Sequence, residues 1–344
     1  MANTSGDSLT GLPDCTAVLG AGSWGSALAM QLGRSGRKCV LWGRSREQIE
    51  AMRLSGSNEK FLPGIPFPPH VSLAHCLDEV LSATDEVLVA VPSHAFTAIL
   101  KLLAPMLAPG QGLSWACKGL EPGSGRFLHQ AAQDVVGRER PLAVITGPSF
   151  AIEVARGLPT AVTVAGTEPA YCKRMAQVLH GGNFRAYTSD DIVGAELGGA
   201  VKNVLAIATG ISDGMALGNN ARAALITRGL AEMMRLGRAM GAREQTLIGL
   251  AGMGDLVLTS TSDLSRNRRL GLALGSGHTV ERAVADIGQL VEGISTSAEV
   301  WRMAQRHAVE MPISEQIHGV IHFGWNPKQC LRDLLAREQK PELI

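Results

Sequence analysis

The sequence predicts an α/β, doubly wound domain over residues 15–190 and an all-α domain over 191–344. Three observations carry this. The apolar run Ala17–Leu19 leads into Gly20-Ala21-Gly22-Ser23-Trp24-Gly25, then into small and apolar residues at helical spacing. From there to Tyr187, short apolar runs alternate with helical segments. Beyond Tyr187 no convincing strand pattern remains, and helical periodicity dominates.

Ala17–Leu19 is short enough to be a buried strand, and Cys39–Trp42 is the next one, closing a βαβ unit. Arg46–Leu54 reads as a helix. Asn58–Pro69 reads as a loop broken by Pro63, Pro66, Pro68 and Pro69. Val71–Leu73 is a short strand with a brief helix after it. The run Glu86–Val91 is a buried strand ending in Pro92-Ser93-His94, followed by a helix from Ala95 to Leu107. Gly112–Ala116 is a strand ending in Cys117-Lys118-Gly119, and Gly125–Val136 is a helix. Leu142–Thr146 ends in Gly147-Pro148-Ser149-Phe150-Ala151. Thr160–Val164 and Phe184–Thr188 flank a helix at Glu168–Leu179. Such alternation makes a parallel sheet the default, with ligands beyond the carboxyl ends of the strands. Pro92, Lys118 and Gly147–Ala151 fall at those ends. Helices are expected at 194–210, 220–240, 244–250, 279–287, 295–308 and 312–323.

A complete strand–loop–helix–strand around G-x-G-x-x-G is a Rossmann-like dinucleotide site; a merely structural loop is the alternative. Gly20 makes the tight turn, Gly22 leaves the backbone open to a pyrophosphate, and Gly25 lets the helix lie close on the sheet. The helix N-terminus presents unpaired N–H groups to phosphate. NAD-binding units usually place an acid about 20 residues on. Here Gly43-Arg44-Ser45-Arg46 stands at that distance, with no carboxylate. Two guanidinium groups suit a 2′-phosphate, so NADP(H) is the preferred cofactor, unless the turn is only a solvated basic one.

Net charge is +1, which excludes bulk nucleic-acid binding, and 45% hydrophobic residues suffice for large cores. The opening MANTSGDSLTGLPD, residues 1–14, is polar and reads as a flexible tail, not a signal peptide. No run of about 18 apolar residues is found, so no membrane insertion is expected. The six cysteines are scattered without a C-x-x-C pair, which points to a reducing cytoplasm. No metal site is expected: His318 and His322 share a helix face without a third ligand and read as a plain surface.

Gly194–Gly210 is apolar or small almost all round, the mark of a buried helix, yet Lys202 and Asn203 lie in its middle. A buried lysine has a lowered pKa that suits proton exchange; the alternative is a lysine snorkelling from a helix edge. Gly198-Gly199 permit close approach of a backbone or a cofactor. Asp255 is the sole charge in Leu250–Thr259 and needs a partner, or else caps a loop. Ser265-Arg266-Asn267-Arg268-Arg269 suits a phosphate, or is a solvated basic helix face. Glu292 reads as an exposed loop acid.

With these blocks assembled, the chain resembles bacterial-type NAD(P)-dependent glycerol-3-phosphate dehydrogenases over about residues 15–335. The resemblance rests on GAGSWG, LWGR, FLPG, VPSH, Lys118-Gly119-Leu120-Glu121, GPSFA, LGGAVKNVLAI, AGMGDLVLT, SRNRR and VEG, all in one order. It implies reversible reduction of dihydroxyacetone phosphate to sn-glycerol 3-phosphate by NAD(P)H, for glycerophospholipid synthesis, in a cytoplasmic homodimer. It implies Lys202 as proton acceptor. For the substrate it implies Lys118, Gly147, Ser149, Lys202, Asp255, Ser265, Arg266 and Asn267. For the cofactor it implies Ser23, Trp24, Arg44, Lys118, Ala151, Arg266, Leu290 and Glu292, beside Gly20, Gly22 and Gly25. Leu290 stands where similar sequences often have Val, and Arg44 occupies a variable position. Two other readings are a β-hydroxyacid dehydrogenase of the 6-phosphogluconate type and a non-catalytic NADP-binding sensor. A sensor is expected to lose Lys202 or the Ser265–Asn267 donors, and neither is missing.

Overall fold

The computed structural model describes residues 14–338. Of the expected tail, residues 1–13 lie outside the described residues. Asp14 is tied by its backbone N–H to Asp85 Oδ2 at 3.1 Å.

The first half runs β1 (Cys15–Leu19), α1 (Ser23–Arg34), β2 (Lys38–Trp42), α2 (Arg46–Ser55), β3 (Val71–Ala74), α3 (Leu77–Ser82), β4 (Glu86–Val89) and α4 (Ser93–Leu103). It continues through β5 (Leu113–Trp115), α5 (Leu128–Val136), β6 (Leu142–Thr146), α6 (Ala151–Ala155), β7 (Thr160–Gly166), α7 (Pro169–Leu179) and β8 (Phe184–Ser189). The strands form one sheet in the order β3-β2-β1-β4-β5-β6-β7-β8. The order reverses at β1, which pairs with both β2 and β4, so a crevice opens beyond Leu19 and Val89. Successive strand residues serve opposite faces. Val18 and Leu88 pack with α1 and α7, whereas Leu19, Val87 and Val89 pack with Phe96 and Trp115.

The expectation of a parallel sheet fails at one place: β7 is antiparallel to β6. The chain leaves β6 through Gly147–Phe150 and the five-residue α6, which the sequence reading missed. It re-enters the sheet without crossing its length, and a neighbour entered from the same end must run backwards. α5 starts at Leu128 instead of Gly125. Gly123 and Gly125 take left-handed φ of 80° and 65° and shape a loop there.

The second half contains α8 (Ile192–Gly214), α9 (Gly218–Ala239), α10 (Glu244–Ile248), a π-helical turn (Leu250–Gly254), α11 (Asp255–Thr261) and α12 (Arg266–Gly275). It ends with α13 (Val280–Ile287), α14 (Glu292–Arg306), α15 (Pro312–Phe323) and α16 (Pro327–Leu335). α8 is long and apolar enough to cross a membrane by length and composition, although Glu196, Lys202 and Asn203 interrupt its apolar run. Of its most apolar window, 89% is buried inside the protein, so it is the core helix of this half. α12 lies on it backbone to backbone. A Cβ at Gly210 would stand 2.2 Å from Arg268 O, and one at Gly271 would stand 2.2 Å from Ile207 O. This contact sets the N-terminus of α12 beside Asn203, to which Asn267 is hydrogen-bonded. α11 and α16 were not expected, and α12 was expected only as a helix start or basic helix face around Ser265–Arg269. In α11 and α12 the buried polar residues Asp255, Thr259, Asn267 and Arg268 break the apolar period, whereas the polar residues of α16 are exposed.

The histidine face is not a plain surface. His318 is buried and stacked on Trp301, with centroids 4.8 Å apart, and burial lowers its pKa to about 4. His322 Nε2 lies 3.0 Å from Ser297 Oγ.

Candidate active site

The glycine loop fills the mouth of the crevice at the sheet's switch point. Gly20 has a φ of 128°, and a Cβ there would lie 2.5 Å from Ala90 O. A Cβ on Gly25 would lie 1.9 Å from Gly20 O, so both positions require glycine. At Gly22 nothing lies within 4 Å of that position, so its backbone is the open side of the loop. Ser23 and Trp24 follow as the first turn of α1, and Trp24 Nε1 is buried without a hydrogen-bond partner. The loop is braced by two residues that sequence reasoning missed. Gln48 Nε2 donates to Ala21 O at 2.7 Å. Asn58 Nδ2 donates to Ala21 O at 3.2 Å and to Ser26 Oγ at 2.7 Å. Asn58 stands three residues before the FLPG block, and its one signal was a lone amide in a proline-rich loop.

Arg44 and Arg46 are exposed at the end of β2, on either side of Ser45, the N-cap of α2. The turn is less purely basic than its sequence suggested: Ser45 Oγ donates to Glu47 Oε2 at 2.8 Å.

Three charged side chains from distant parts of the chain meet beyond the carboxyl ends of β5 and β6. Lys118 follows β5, Lys202 sits in the middle of α8, and Asp255 opens α11 directly after the π-helical turn. Lys118 Nζ donates to Asp255 Oδ2 at 2.8 Å, to Gly147 O at 2.7 Å and to Ser149 Oγ at 3.3 Å. Lys202 Nζ donates to Asp255 Oδ1 at 3.2 Å and to Thr259 Oγ1 at 3.0 Å. Asp255 is only 1% exposed and Lys202 7%. Lys202 is therefore paired and buried, not snorkelling, and Asp255 bridges two ammonium groups instead of capping a loop. Burial lowers the Lys202 pKa to about 8, with Lys118 adding to the shift and Asp255 opposing it. Burial alone would raise Asp255, but Lys118 and Lys202 hold it below the usual carboxylate range.

The two glycines before Lys202 let its neighbours close in. A Cβ at Gly198 would stand 2.4 Å from Ala251 O in the π-helical turn, and one at Gly199 would stand 3.0 Å from Thr146 Oγ1 at the end of β6. Thr259 was missed by sequence reasoning. Its signal was its position one helical turn after Asp255, on the same face.

The Ser265–Arg269 run divides. Ser265 N-caps α12, accepting from Arg268 N at 3.2 Å. Arg268 is held by Asp213 at 2.6 Å, by Asp263 and by Ser260 O, so it is a structural cation and no ligand donor. Arg266 is half-buried near Glu292. Asn267 joins a chain of amides: Gly293 N donates to Asn267 Oδ1, Asn267 Nδ2 to Asn203 Oδ1, and Asn203 Nδ2 to Lys118 O, at 2.9, 2.8 and 3.2 Å. Glu292 is not an exposed loop acid. It is the half-buried first residue of α14, and its Oε1 accepts the Ser93 N–H at 3.3 Å. Burial raises its pKa against the pull of Ser93 and Arg266. Leu290 is exposed beside it, and Ala151 opens α6 next to Gly147 and Ser149. Trp24 stands under Lys118, whose Nζ is 5.9 Å from its ring, which joins the glycine loop to the lysine cluster. Arg44 stands apart, at the end of β2.

Residues 16–172 match the family described as NAD-dependent glycerol-3-phosphate dehydrogenase N-terminus, and residues 191–332 match its C-terminus. The chain belongs to the NAD-dependent glycerol-3-phosphate dehydrogenase family. Its relatives include the glycerol-3-phosphate dehydrogenase [NAD(P)+] of Stenotrophomonas maltophilia strain R551-3, 57% identical over 329 residues and 96% of each chain. The enzyme of the same name from Xanthomonas campestris pv. campestris strain B100 is 56% identical over 326 residues, 95% of this chain and 96% of that one. The crystal structure of glycerol-3-phosphate dehydrogenase from Coxiella burnetii superposes with a TM-score of 0.91 at 46% identity, covering 94% of this chain and 99% of that one. The two family segments flank residues 173–190, which hold most of α7 and all of β8.

Proposed function

We propose that this chain reduces dihydroxyacetone phosphate reversibly to sn-glycerol 3-phosphate, with residues 15–190 holding the dinucleotide and 191–344 the substrate. One observation carries the reading: a buried lysine of lowered pKa, Lys202, shares a carboxylate with Lys118 at the mouth of the dinucleotide crevice. Bound NAD(P)H supplies the hydride. The residues fit that group: nothing crowds the backbone at Gly22, the N-terminus of α1 follows it directly, and the buried Trp24 N–H has no partner of its own.

The chain's own part is proton transfer and positioning. As the carbonyl becomes an alkoxide, the Lys202 ammonium stabilises the charge and donates its proton to that oxygen. In the oxidation direction the neutral amine takes it back. Asp255 keeps both ammonium groups paired in a buried place. Lys118, with Gly147 and Ser149 behind it, orients the substrate. Arg266, Asn267 and the α12 N-terminus hold the phosphate. Assaying NADPH oxidation with dihydroxyacetone phosphate against 3-keto acids tests the substrate class; preference for the keto acids would overturn it.

Arg266→Ala is expected to weaken dihydroxyacetone phosphate binding by about 1.5–3 kcal/mol, the scale of a hydrogen bond to a charged group. Its KM rises while kcat changes less. Equal activity of the wild type on unphosphorylated dihydroxyacetone would remove α12 from the phosphate site. Arg44 gives NADPH the advantage over NADH in this reading. Arg44→Asp is expected to turn the kcat/KM ratio toward NADH, because a carboxylate repels the 2′-phosphate and accepts ribose hydroxyls. An unchanged ratio would exclude Arg44 from cofactor choice.

The cytoplasm is the compartment that fits, since the six cysteines are free thiols. A homodimer is the assembly implied by the resemblance, and light scattering on the purified protein checks it.

A further inference from the structure

The loop that carries Lys118 is gripped by the other half of the chain. Leu120 and Phe127, at its two shoulders, are buried in the helical core and not in those of the sheet. On α14, Glu299 is 4% exposed. Its Oε1 accepts the Gly123 N–H at 2.8 Å and an Arg302 N–H at 2.5 Å. Its Oε2 is buried with no hydrogen-bond partner and would lie 3.4 Å from a Cβ on Gly125. Gly123 and Gly125 are the two left-handed glycines of this loop, so the turn wraps the carboxylate. Seven residues before Glu299, Glu292 accepts the Ser93 N–H. Seven residues after it, Arg306 donates to Ser124 O at 2.5 Å. That spacing lines one face of α14, which thereby holds the turns after β4 and β5 together.

We propose that Glu299 is a positioning residue: it touches neither substrate nor cofactor, but fixes the 119–126 turn from α14 and so keeps Lys118 against Asp255. The consequence for chemistry rests on the reading of Lys202 as proton donor. The charged groups facing Lys202 are Asp255 from α11, Lys118 from this loop and Glu292 from α14. If the turn loosens, Lys118 withdraws. Lys202 then loses a like charge and gains an undivided carboxylate, and both changes raise its pKa.

The test compares wild type, Glu299→Ala, Glu299→Gln and Glu299→Asp by the pH profile of kcat for reduction and by amide exchange over 118–126. Glu299→Ala is expected to exchange faster there, to move the alkaline limb upward and to lose about 10–100-fold in kcat/KM for dihydroxyacetone phosphate. Glu299→Gln keeps an acceptor for Gly123 and stays near wild type. Glu299→Asp, too short to reach Gly123, behaves like Glu299→Ala and carries the test if the alanine variant fails to fold. A lowered melting temperature with unchanged pH profile and unchanged exchange overturns the proposal. If the wild type shows no alkaline limb, the Lys202 reading falls instead. The exchange over 118–126 then decides the role of Glu299: no increase in Glu299→Ala overturns it.

Discussion

Lys202→Met should leave the fold and NADPH binding nearly intact and lower turnover by ~10²–10⁴-fold, the range for a lost general acid–base. Methionine keeps most of the length of the lysine stem and removes the charge and the proton. Asp255 is not stranded, because Lys118 still donates to it at 2.8 Å. The fall can exceed this range, since stabilisation of the alkoxide is lost as well. Single-turnover hydride transfer with saturating NADPH and dihydroxyacetone phosphate is the measurement. A folded, NADPH-binding variant that transfers hydride at near the wild-type rate sinks the mechanism. The wild type should show the same group by titration. With a pKa of about 8, Lys202 is an ammonium below that pH, so reduction slows as pH rises through it, and the oxidation direction quickens. The stability linkage has its own sign. The lysine is more basic in the unfolded chain, so burying its charge costs stability below pH 8, and that cost is relieved as pH rises from about 8 toward the unfolded value.

Asp255→Ala should be the most destabilising change in the site, by about 3–5 kcal/mol, because it leaves two buried ammonium groups with no counter-charge between them. Urea unfolding at pH 7 measures it. The loss should shrink at alkaline pH: without Asp255 the Lys202 pKa falls further, so the amine forms more readily in the folded protein. Adding Lys202→Met should restore part of the stability without restoring activity, a coupling expected only of groups in contact. A single variant within 1 kcal/mol of wild type would mean that solvent already screens the pair. In the wild type, Asp255 has the opposite sign to Lys202. Its pKa is lowered by the two lysines, so its stabilisation holds above the ordinary carboxylate range and is lost only as pH falls through its folded value.

Much of the first half was legible because its signals are local. The packing at Gly25 and the openness at Gly22 depend on backbone sterics within one βαβ unit, whereas the crowding of Gly20 by Ala90 comes from beyond it. The central strands were readable as short apolar runs because a sheet covered on both faces buries every residue of them. The direction of β7 was not readable, because it depends on which end of the sheet the chain re-enters after α6. In the second half, α8 was legible as a buried helix, whereas α11 and α12 were not. Their polar residues look like surface until α8 is packed against them. Arg268 shows the difficulty: in the sequence it is one more cation beside Arg266 and Arg269, and in the fold it is consumed by Asp213, 55 residues away.

By itself, the sequence determined that a dinucleotide-type crevice opens at Gly20–Gly25, that a helical half follows, and that Lys202 is a charge in an apolar helix. Each of these depends on neighbours within a few turns or one strand. The tertiary structure alone decided what that charge faces. Lys118 and Asp255 are 137 residues apart and Lys202 and Asp255 are 53 apart. No local rule joins them. They meet because Gly198 and Gly199 let the π-helical turn and the end of β6 press on α8. Burial then makes an unpaired charge too costly, so the three must satisfy one another there.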